Sequence, residues 1–312
     1  MKIAFFTEGN YISKIPRHHT NMRTDQAWIC ALDATHYPVI QLPSEHFDIG
    51  IVIIPKEKNR DYLANNNYPL ITNLKKICDK VLIMQESTHW DWMEDSIRTM
   101  CWFYNQLLEA DALLCHNEID IKYYKGITNK PCYILPTLMI EDSIKISDVK
   151  EDSVFVAGNW HQTYRGFDAW TIGREFDLPM YGFKSGKLKP GEDNITGINY
   201  LPWMDWSKFM FELSKCKYGV QTYETSAGQF PLNCAYLGIP CIGYNQVDTQ
   251  RLLHPELSVE VGDVYSARKL VNRLKNDKAF YDRCSLLTKK LYNELYSESV
   301  FLNNWNKIKS AL

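Results

Sequence analysis

The sequence has little net charge, no long hydrophobic run and no early apolar leader, and each absence excludes a class of function. Its 35 lysines and arginines nearly balance 37 aspartates and glutamates, so the net charge is −2. A protein with this balance has no global basic field for nucleic acid, although a local basic face is compatible with it. No apolar run approaches the roughly 20 residues of a membrane-spanning helix, and MKIAFFTEGN turns polar too early for a signal peptide. We therefore expect a soluble, cytoplasmic protein without a membrane-spanning segment.

Three chemical motifs are missing as well. Nine cysteines form no C-x-x-C pair and lie mostly in apolar segments, which indicates buried, reduced thiols. The eight histidines show no H-x-x-x-H spacing, so no metal site is predicted. A G-x-G-x-x-G motif is also missing, which argues against a dinucleotide-dependent dehydrogenase.

What the sequence contains is a strand–helix alternation that runs through the chain twice. At 312 residues the chain suits two domains of ordinary size. We predict an α/β fold with two Rossmann-like domains facing a cleft. The predicted parts are an N-terminal domain over residues 1–140, a polar linker over 141–152, a C-terminal domain over 153–298 and a tail over 299–312 that packs back on the first domain.

Apolar runs place the individual strands. Lys2–Thr7 is predicted as the first strand of the first sheet, and Val39–Leu42 and Asp48–Ile54 as further strands. In the second half, Ile195–Tyr200 is predicted as a strand. A helix is predicted to carry Arg165, Trp170 and Arg174.

The segment Lys217–Tyr244 combines strand, loop, helix and strand in an order that suits ligand binding. Tyr218–Thr222 is an apolar, β-branched run, and small residues follow it. Pro231 suits the first turn of the next helix, because its missing N–H costs nothing there, and Gly238 ends that helix. A helix that begins after such a loop presents unpaired N–H groups and a partial positive charge, which suit a diphosphate.

The same segment resembles the donor-site segment of GT-B glycosyltransferases, through its acidic residue, glycine-containing loop, Pro-Leu and Leu-Gly-Ile-Pro. In that family one glutamate opens the loop and a second, on the helix, holds the ribose of a nucleotide-sugar. Glu224 lies one residue earlier than the family pattern has it, and Asn233 stands in the place of the second glutamate. The asparagine can still hydrogen-bond a ribose hydroxyl, as a neutral group. The resemblance implies that Glu224, Ser226, Gly228 and Asn233 bind the donor.

A second donor loop follows the first strand of the C-terminal domain. It contains Gly158, Asn159 and His161, with Arg165 behind them. Glycine allows the backbone to approach a phosphate, and a guanidinium binds phosphate bidentately. The loop resembles the glycine-plus-arginine loop of GT-B enzymes, and an ordinary turn with a surface arginine is the alternative.

Three of the residues that follow the strand Lys80–Met84 are candidates for a catalytic base. The resemblance to phage DNA glucosyltransferases, which carry a carboxylate base at this strand end, favours Glu86, and His89 and Asp91 are close enough to replace it. An inverting transfer needs a base within hydrogen-bond reach of the acceptor hydroxyl, whereas a retaining transfer has no such requirement. A loop carboxylate or a helix cap is the alternative role.

The acceptor side is predicted in the N-terminal domain. The loop Tyr11–Arg23 is rich in basic residues, and loops at strand ends of such sheets line ligand crevices. A solvated loop is the alternative. The predicted acceptor-binding residues are Glu8, Arg17, His18, His19 and Trp90.

These observations favour a glycosyltransferase whose co-substrate is a nucleotide-diphosphate sugar, with a UDP-sugar as the first choice. We expect it to require no cofactor. The acceptor is a hydroxyl, and the resemblance to phage DNA glucosyltransferases makes a hydroxymethylated pyrimidine in DNA one candidate. Surface polysaccharide or a small molecule is another. A sugar-nucleotide epimerase of the same shape and an inactive nucleotide-binding protein also fit the sequence.

Overall fold

Each of the two strand–helix series forms its own six-stranded parallel sheet in the computed structural model of the chain. The structure describes residues 1–85, 92, 95–158, 160, 164–184, 188–224 and 227–312, with residues 57, 58 and 85 by their backbone alone. The chain divides into two compact units. The first comprises Met1–His19, Thr24–Ile140 and Glu298–Leu312, and the second comprises Thr20–Arg23 and Glu141–Ser297.

The first unit is a parallel sheet with helices between its strands. The strands are β1 (Ile3–Thr7), β2 (Thr35–Pro38), β3 (Phe47–Val52), β4 (Cys78–Gln85), β5 (Ala112–Cys115) and β6 (Cys132–Ile134). The helices are α1 (Thr24–Ala31), α2 (Glu57–Asn65), α3 (Leu70–Leu74), α4 (Ile97–Glu109) and α5 (Glu118–Thr128), with α13 (Glu298–Ala311) from the end of the chain. The strand order is β2-β1-β3-β4-β5-β6, so the chain reverses its direction of growth between β1 and β3. Such a reversal is where ligands bind in open α/β sheets.

The second unit repeats this plan. Its strands are β7 (Glu151–Ala157), β8 (Met180–Phe183), β9 (Ile198–Leu201), β10 (Cys216–Gln221), β11 (Cys241–Tyr244) and β12 (Ser258–Val259). Its helices are α6 (Gly166–Arg174), α7 (Asp193–Thr196), α8 (Trp206–Lys215), α9 (Gln229–Tyr236), α10 (Asp248–Leu253), α11 (Val264–Asn276) and α12 (Lys278–Leu295). The order β12-β11-β10-β7-β8-β9 places the reversal between β7 and β10.

The central strands of both sheets are buried. All five residues of β1 are buried, and so are Ser153–Val156 in β7. Strands covered on both faces are expected to be apolar along their length rather than alternating. The prediction of two Rossmann-like α/β sets is therefore confirmed.

The structure corrects several predicted element bounds. The predicted strand Val39–Leu42 is wrong, because β2 ends at Pro38 and the Gln41 N–H donates to the Pro38 carbonyl in a turn. Sequence reasoning missed β2 because its central residue is His36, which is buried and bonded to the Thr7 hydroxyl at 2.7 Å.

In the second unit, the predicted strand Ile195–Tyr200 begins instead as the short helix α7. Gly197 ends that helix with φ at +67°, a conformation that glycine adopts without strain, and β9 starts one residue later. Arg165 precedes α6 rather than lying within it.

The ends of the predicted domains differ in detail from the two units. Residues 141–152, predicted as a linker, belong to the second unit, and β7 already begins at Glu151. The C-terminal helix α13 belongs to the first unit, where Phe301 packs at 5.3 Å between ring centroids against Trp28 of α1. No helix among the described residues is long and apolar enough to cross a membrane.

Candidate functional site

A cavity of about 290 Å³ lies at the carboxyl edge of the second sheet, at the reversal between β7 and β10. It is formed by the ends of β7 and β8, the residues after β10, one face of α8, the start of α9 and Arg23 of the segment Thr20–Arg23. The lining residues are Arg23, Phe155, Val156, Ala157, Gly158, Tyr164, Phe183, Phe209, Tyr223, Ala227, Gly228, Gln229, Phe230 and Asn233.

Aromatic rings make up much of this lining. Phe155 is central, since its ring packs edge-on against Phe209 at 5.4 Å and against Phe183 at 5.7 Å. Phe230 of α9 approaches the same ring at 5.6 Å. Flat apolar walls of this kind suit a planar ring such as a nucleobase. Arg23 is the only charged side chain among the described residues of the lining.

The start of α9 is held in a single position at the cavity. Gly228 precedes the helix with φ at +60°, and a Cβ there would lie 2.1 Å from the Thr249 Oγ1. The Thr249 hydroxyl donates to the Gly228 carbonyl at 2.7 Å, and the Phe230 N–H donates to the Tyr223 hydroxyl at 3.1 Å. Burial raises the pKa of Tyr223 well above its ordinary value, so this hydroxyl stays neutral. The partial positive charge of the helix start is thereby directed at the cavity.

Asn233, predicted to hold a ribose, lines the cavity one turn further along α9. Its side chain is 1% exposed. The Asn233 Oδ1 accepts from the Gln229 Nε2 at 2.9 Å and from the Trp206 Nε1 at 3.4 Å. The carbonyl oxygen is thus engaged within the protein, and the amide N–H₂ is the group of this side chain suited to donate to a ligand.

The two predicted donor loops meet through Arg165 and Glu224. The Arg165 Nε donates to the Glu224 carboxylate, and the Arg165 Nη1 lies 3.7 Å from Asp168. Asp168 also accepts from the Tyr244 hydroxyl at 2.6 Å. The hydrogen bond to Glu224 raises the pKa of Arg165, against an opposing effect of burial. Arg165 therefore stands beside two carboxylates, and it does not line the cavity.

Gly158 contributes backbone to the cavity rather than a side chain. A Cβ there would lie 3.3 Å from the Ala169 Cβ and 3.4 Å from the Gly166 Cα. The end of β7 therefore approaches the start of α6 closely. The other predicted donor residues, Asn159, His161 and Ser226, lie outside the described residues.

A second, smaller cavity of about 180 Å³ lies in the first unit, at the reversal between β1 and β3. Its lining comprises Thr7, Glu8, Gly9, Tyr11, Asp25, Gln26, Ile53, Ile54, Pro55 and Lys56. The structure thus brings the predicted residue Glu8 to a cavity. The carboxylate of Glu8 accepts from the Lys56 N–H at 3.4 Å.

The basic cluster of the loop Tyr11–Arg23 does not form one surface patch of unpaired cations. Arg17 makes a two-fold ion pair with Glu298 of α13, at 2.8 Å and 2.7 Å. Lys14 pairs with Asp33 at 2.6 Å. His18 is exposed and His19 is half-buried. These four residues lie in the first unit, whereas Arg23 lies in the second.

The predicted catalytic residues Glu86, His89 and Asp91, together with Trp90, lie outside the described residues. Trp92, the next described residue, stacks on Phe103 with 3.4 Å between ring centroids, and the Arg60 guanidinium lies 4.5 Å from the Trp92 ring. Among the residues that the structure describes, no group of three or more histidine, cysteine or acidic side chains is arranged to hold a metal ion.

Sequence reasoning did not place Arg23 at the larger cavity, nor Tyr11, Gln26 and Lys56 at the smaller one. Lys56 was detectable in principle, since it follows the strand β3 at the carboxyl edge of the sheet. Arg23 was not, because no pattern in the sequence shows that four residues of the N-terminal half belong to the second unit.

No model of a known protein family matches the sequence, and no curated protein matches it. Solved structures do resemble it. Sucrose-phosphate synthase from Thermosynechococcus elongatus aligns over 100% of both chains with a TM-score of 0.70 and 10% identity. An α-glucosyltransferase in complex with UDP and a 13-mer DNA containing an HMU base aligns over 99% of this chain and 98% of its own. Its TM-score is 0.66 and its identity 12%.

TarM of S. aureus, in a complex that contains UDP, aligns over 83% of this chain with a TM-score of 0.64 and 10% identity. The chain spans only 55% of TarM. Together these likenesses show that the chain has the GT-B fold, which the resemblance of the segment Lys217–Tyr244 predicted.

Proposed function

We propose that this protein is a glycosyltransferase that moves a sugar from a nucleotide-diphosphate sugar, with UDP-sugar first, to an acceptor hydroxyl. The observation that carries the proposal is the cavity at the reversal between β7 and β10, lined by aromatic rings and by the start of α9. At about 290 Å³ it lies just below the usual range for ligand pockets, roughly 300–1,000 Å³. Planar rings suit the base of the donor, and the helix start suits its diphosphate.

The nucleotide-sugar is a co-substrate in this proposal, and no cofactor is required. UDP is the first choice of nucleotide because the similar α-glucosyltransferase and TarM structures both contain UDP. Location in the cytoplasm stays a prediction.

For the acceptor we propose a hydroxymethylated pyrimidine in DNA. The support is the α-glucosyltransferase structure with DNA and an HMU (hydroxymethyluracil) base, which matches this chain nearly end to end. A base inside a duplex must be flipped out before its hydroxyl can react. The cavity of about 180 Å³ in the first unit has the size for a single ring, with Tyr11 and Gln26 to contact it.

A small acceptor is the second candidate, and one observation favours it. Sucrose-phosphate synthase matches the chain over its whole length with a TM-score of 0.70, above the 0.66 of the DNA-bound enzyme. The net charge of −2 also gives no general attraction to DNA.

The direct test is transfer from a panel of nucleotide-sugars, with and without acceptors. We expect product on DNA containing hydroxymethylcytosine or hydroxymethyluracil, and none on unmodified DNA. Transfer only to a polysaccharide or small molecule would exclude the DNA acceptor and keep the transferase. Turnover without any acceptor would indicate an epimerase, and nucleotide binding without turnover would indicate an inactive binding protein.

Glu86 is the proposed general base, with His89 and Asp91 as its replacements. Glu86→Gln keeps the shape of the side chain and removes its basicity, so turnover should fall by roughly 10²–10⁴ with donor affinity unchanged. Near-normal turnover would assign the role to His89 or Asp91, or indicate a retaining reaction.

A further inference from the structure

The segment Thr20–Arg23 belongs to the second unit, although the residues on both sides of it belong to the first. Two hydrogen bonds fasten it to the start of α8. The Ser207 N–H donates to the Thr20 carbonyl at 2.9 Å, and the Trp206 N–H donates to the Asn21 Oδ1 at 2.9 Å.

Asn21 thereby caps the start of α8, a role that a residue next to the helix in the sequence normally has. The residue that precedes α8, Asp205, makes no side-chain cap hydrogen bond. The first N–H groups of a helix need such acceptors, so the bond from Trp206 to Asn21 stabilises both partners. Met22, the next residue, is completely buried. The segment is therefore held at a defined place, and Arg23 follows at the wall of the cavity.

Position distinguishes Arg23 from the arginine that the sequence singled out. Arg165 pairs with Glu224 and lies near Asp168, and it does not line the cavity. Arg23 lines the cavity, and among the described lining residues it carries the only charge. A diphosphate entering this largely aromatic cavity loses water and needs a compensating cation.

We infer that Arg23 is a donor-binding residue that contacts the phosphates of the nucleotide, and that Asn21 is its positioning residue. The inference rests on the proposed function. A guanidinium suits the role because its planar fork binds two phosphate oxygens at once, which an ammonium does not do. The four-residue segment thus supplies to the donor cavity a cation that neither of the two predicted donor loops provides.

The test compares Arg23→Gln with wild type by calorimetry, using UDP and uridine as ligands. Loss of a charge-assisted hydrogen bond should lower the affinity for UDP by roughly 10- to 100-fold. The affinity for uridine, which has no phosphate, should not change. Arg23→Lys should lie between wild type and Arg23→Gln, because it keeps the charge and loses the fork. Arg174→Gln is the matched control, an exposed arginine of α6 in the same unit that does not line the cavity.

Asn21 tests the positioning role through a conservative rescue. Asn21→Ala should weaken UDP more than uridine, whereas Asn21→Asp, which still accepts from the Trp206 N–H, should restore most of the affinity. A purely structural role for Asn21 would weaken both ligands equally.

The outcomes separate the inference from the proposed function. Wild-type affinity for UDP in a folded Arg23→Gln protein, or an equal loss of UDP and uridine, would overturn the inference and leave the nucleotide site standing. Weaker UDP binding in Arg165→Ala but not in Arg23→Gln would assign the phosphate contact to Arg165. If the wild-type protein binds no nucleoside diphosphate, the proposed function fails and the inference fails with it.

Discussion

At the scale of single residues, His254 is a buried titratable group whose protonation is controlled by the fold. It is 2% exposed, its Nε2–H donates to the Pro231 carbonyl at 3.0 Å, and its Nδ1 accepts from the Thr288 hydroxyl at 3.0 Å. Burial lowers the pKa of His254 to about 4, although the Pro231 carbonyl acts to raise it. The neutral imidazole thus ties α9 to α12.

Because the pKa of His254 is lowered, we expect the folded protein to lose stability in acid. Unfolded histidine has a pKa of about 6.5, so the unfolded state binds the extra proton first as the pH falls. The contribution of neutral His254 is complete above pH 6.5 and disappears between pH 6.5 and about 4. It amounts to about 3 kcal/mol at 1.36 kcal/mol per pKa unit.

Urea unfolding from pH 7.5 to 4.5 checks this prediction. Acidification should cost His254→Gln less stability than wild type, because the variant has no imidazole to charge. His46→Gln serves as the control, since the side chain of His46 is 59% exposed. Equal pH slopes in His254→Gln and wild type would contradict the prediction.

Gly228 shows how one backbone conformation fixes a helix start. Its φ is +60°, and a Cβ added there would lie 2.1 Å from the Thr249 Oγ1, so alanine has neither the conformation nor the space. We expect Gly228→Ala to lower the free energy of unfolding by about 2–5 kcal/mol, from left-handed strain and overpacking together. Gly191→Ala is the control. The φ of Gly191 is +87°, but nothing lies within 4 Å of an added Cβ, so this variant has the backbone strain without the overpacking. If denaturant unfolding shows the same loss of free energy in Gly228→Ala and Gly191→Ala, the residues around Gly228 shift to accommodate the added Cβ.

At the scale of elements, α9 depends on a side chain from the residues after β10. Sequence patterns place Pro231 in the first turn of this helix, but they do not reveal that the Phe230 N–H is satisfied by the Tyr223 hydroxyl at 3.1 Å. A helix start without such a partner leaves its first N–H groups unpaired.

Tyr223→Phe should therefore cost about 1–3 kcal/mol of stability, since the buried Phe230 N–H would lose its acceptor while the ring stays in place. Nucleotide affinity should fall as well, because the start of α9 lines the cavity. The matched control is Tyr265→Phe, at a residue that is 70% exposed. Thermal unfolding and calorimetry with UDP measure the two effects, and a stability equal to wild type would exclude this capping role.

At the scale of the whole molecule, the C-terminal helix α13 completes the first unit rather than the second. Phe301, Trp305 and Ile308 are its buried residues, spaced so that they lie on one face of the helix. Arg17 of the N-terminal loop holds the start of α13 through Glu298. The two ends of the chain are thus joined within one unit.

Phe301→Ala should lower the stability of the first unit by about 3–5 kcal/mol, because it leaves a cavity beside Trp28. Hydrogen exchange locates the effect: amides of β1 and α1 should lose protection. Lys307→Ala, an exposed position on the same helix, should leave protection unchanged. If β1 and α1 keep their protection in Phe301→Ala, the helix is not part of their cooperative unit.

The sequence by itself determined the two α/β sets, because buried parallel strands and the helices between them leave strong apolar periodicities. It also determined the strand–loop–helix of Lys217–Tyr244, since Pro231 and Gly238 act locally on the backbone. It did not determine β2, whose polar His36 is satisfied by the Thr7 hydroxyl and the Tyr11 carbonyl, both distant in the sequence.

Only the tertiary structure decided which charges face the larger cavity. Arg165 and Glu224 lie 59 positions apart in the sequence, and their pairing follows from the adjacency of β7 and β10 in the sheet. The placement of Arg23 depends on the attachment of Asn21 to Trp206, a contact over 185 positions. Local patterns record propensity and burial, whereas the position of a charge at the end of a strand depends on strand order and on long-range hydrogen bonds. These are properties of the folded chain alone.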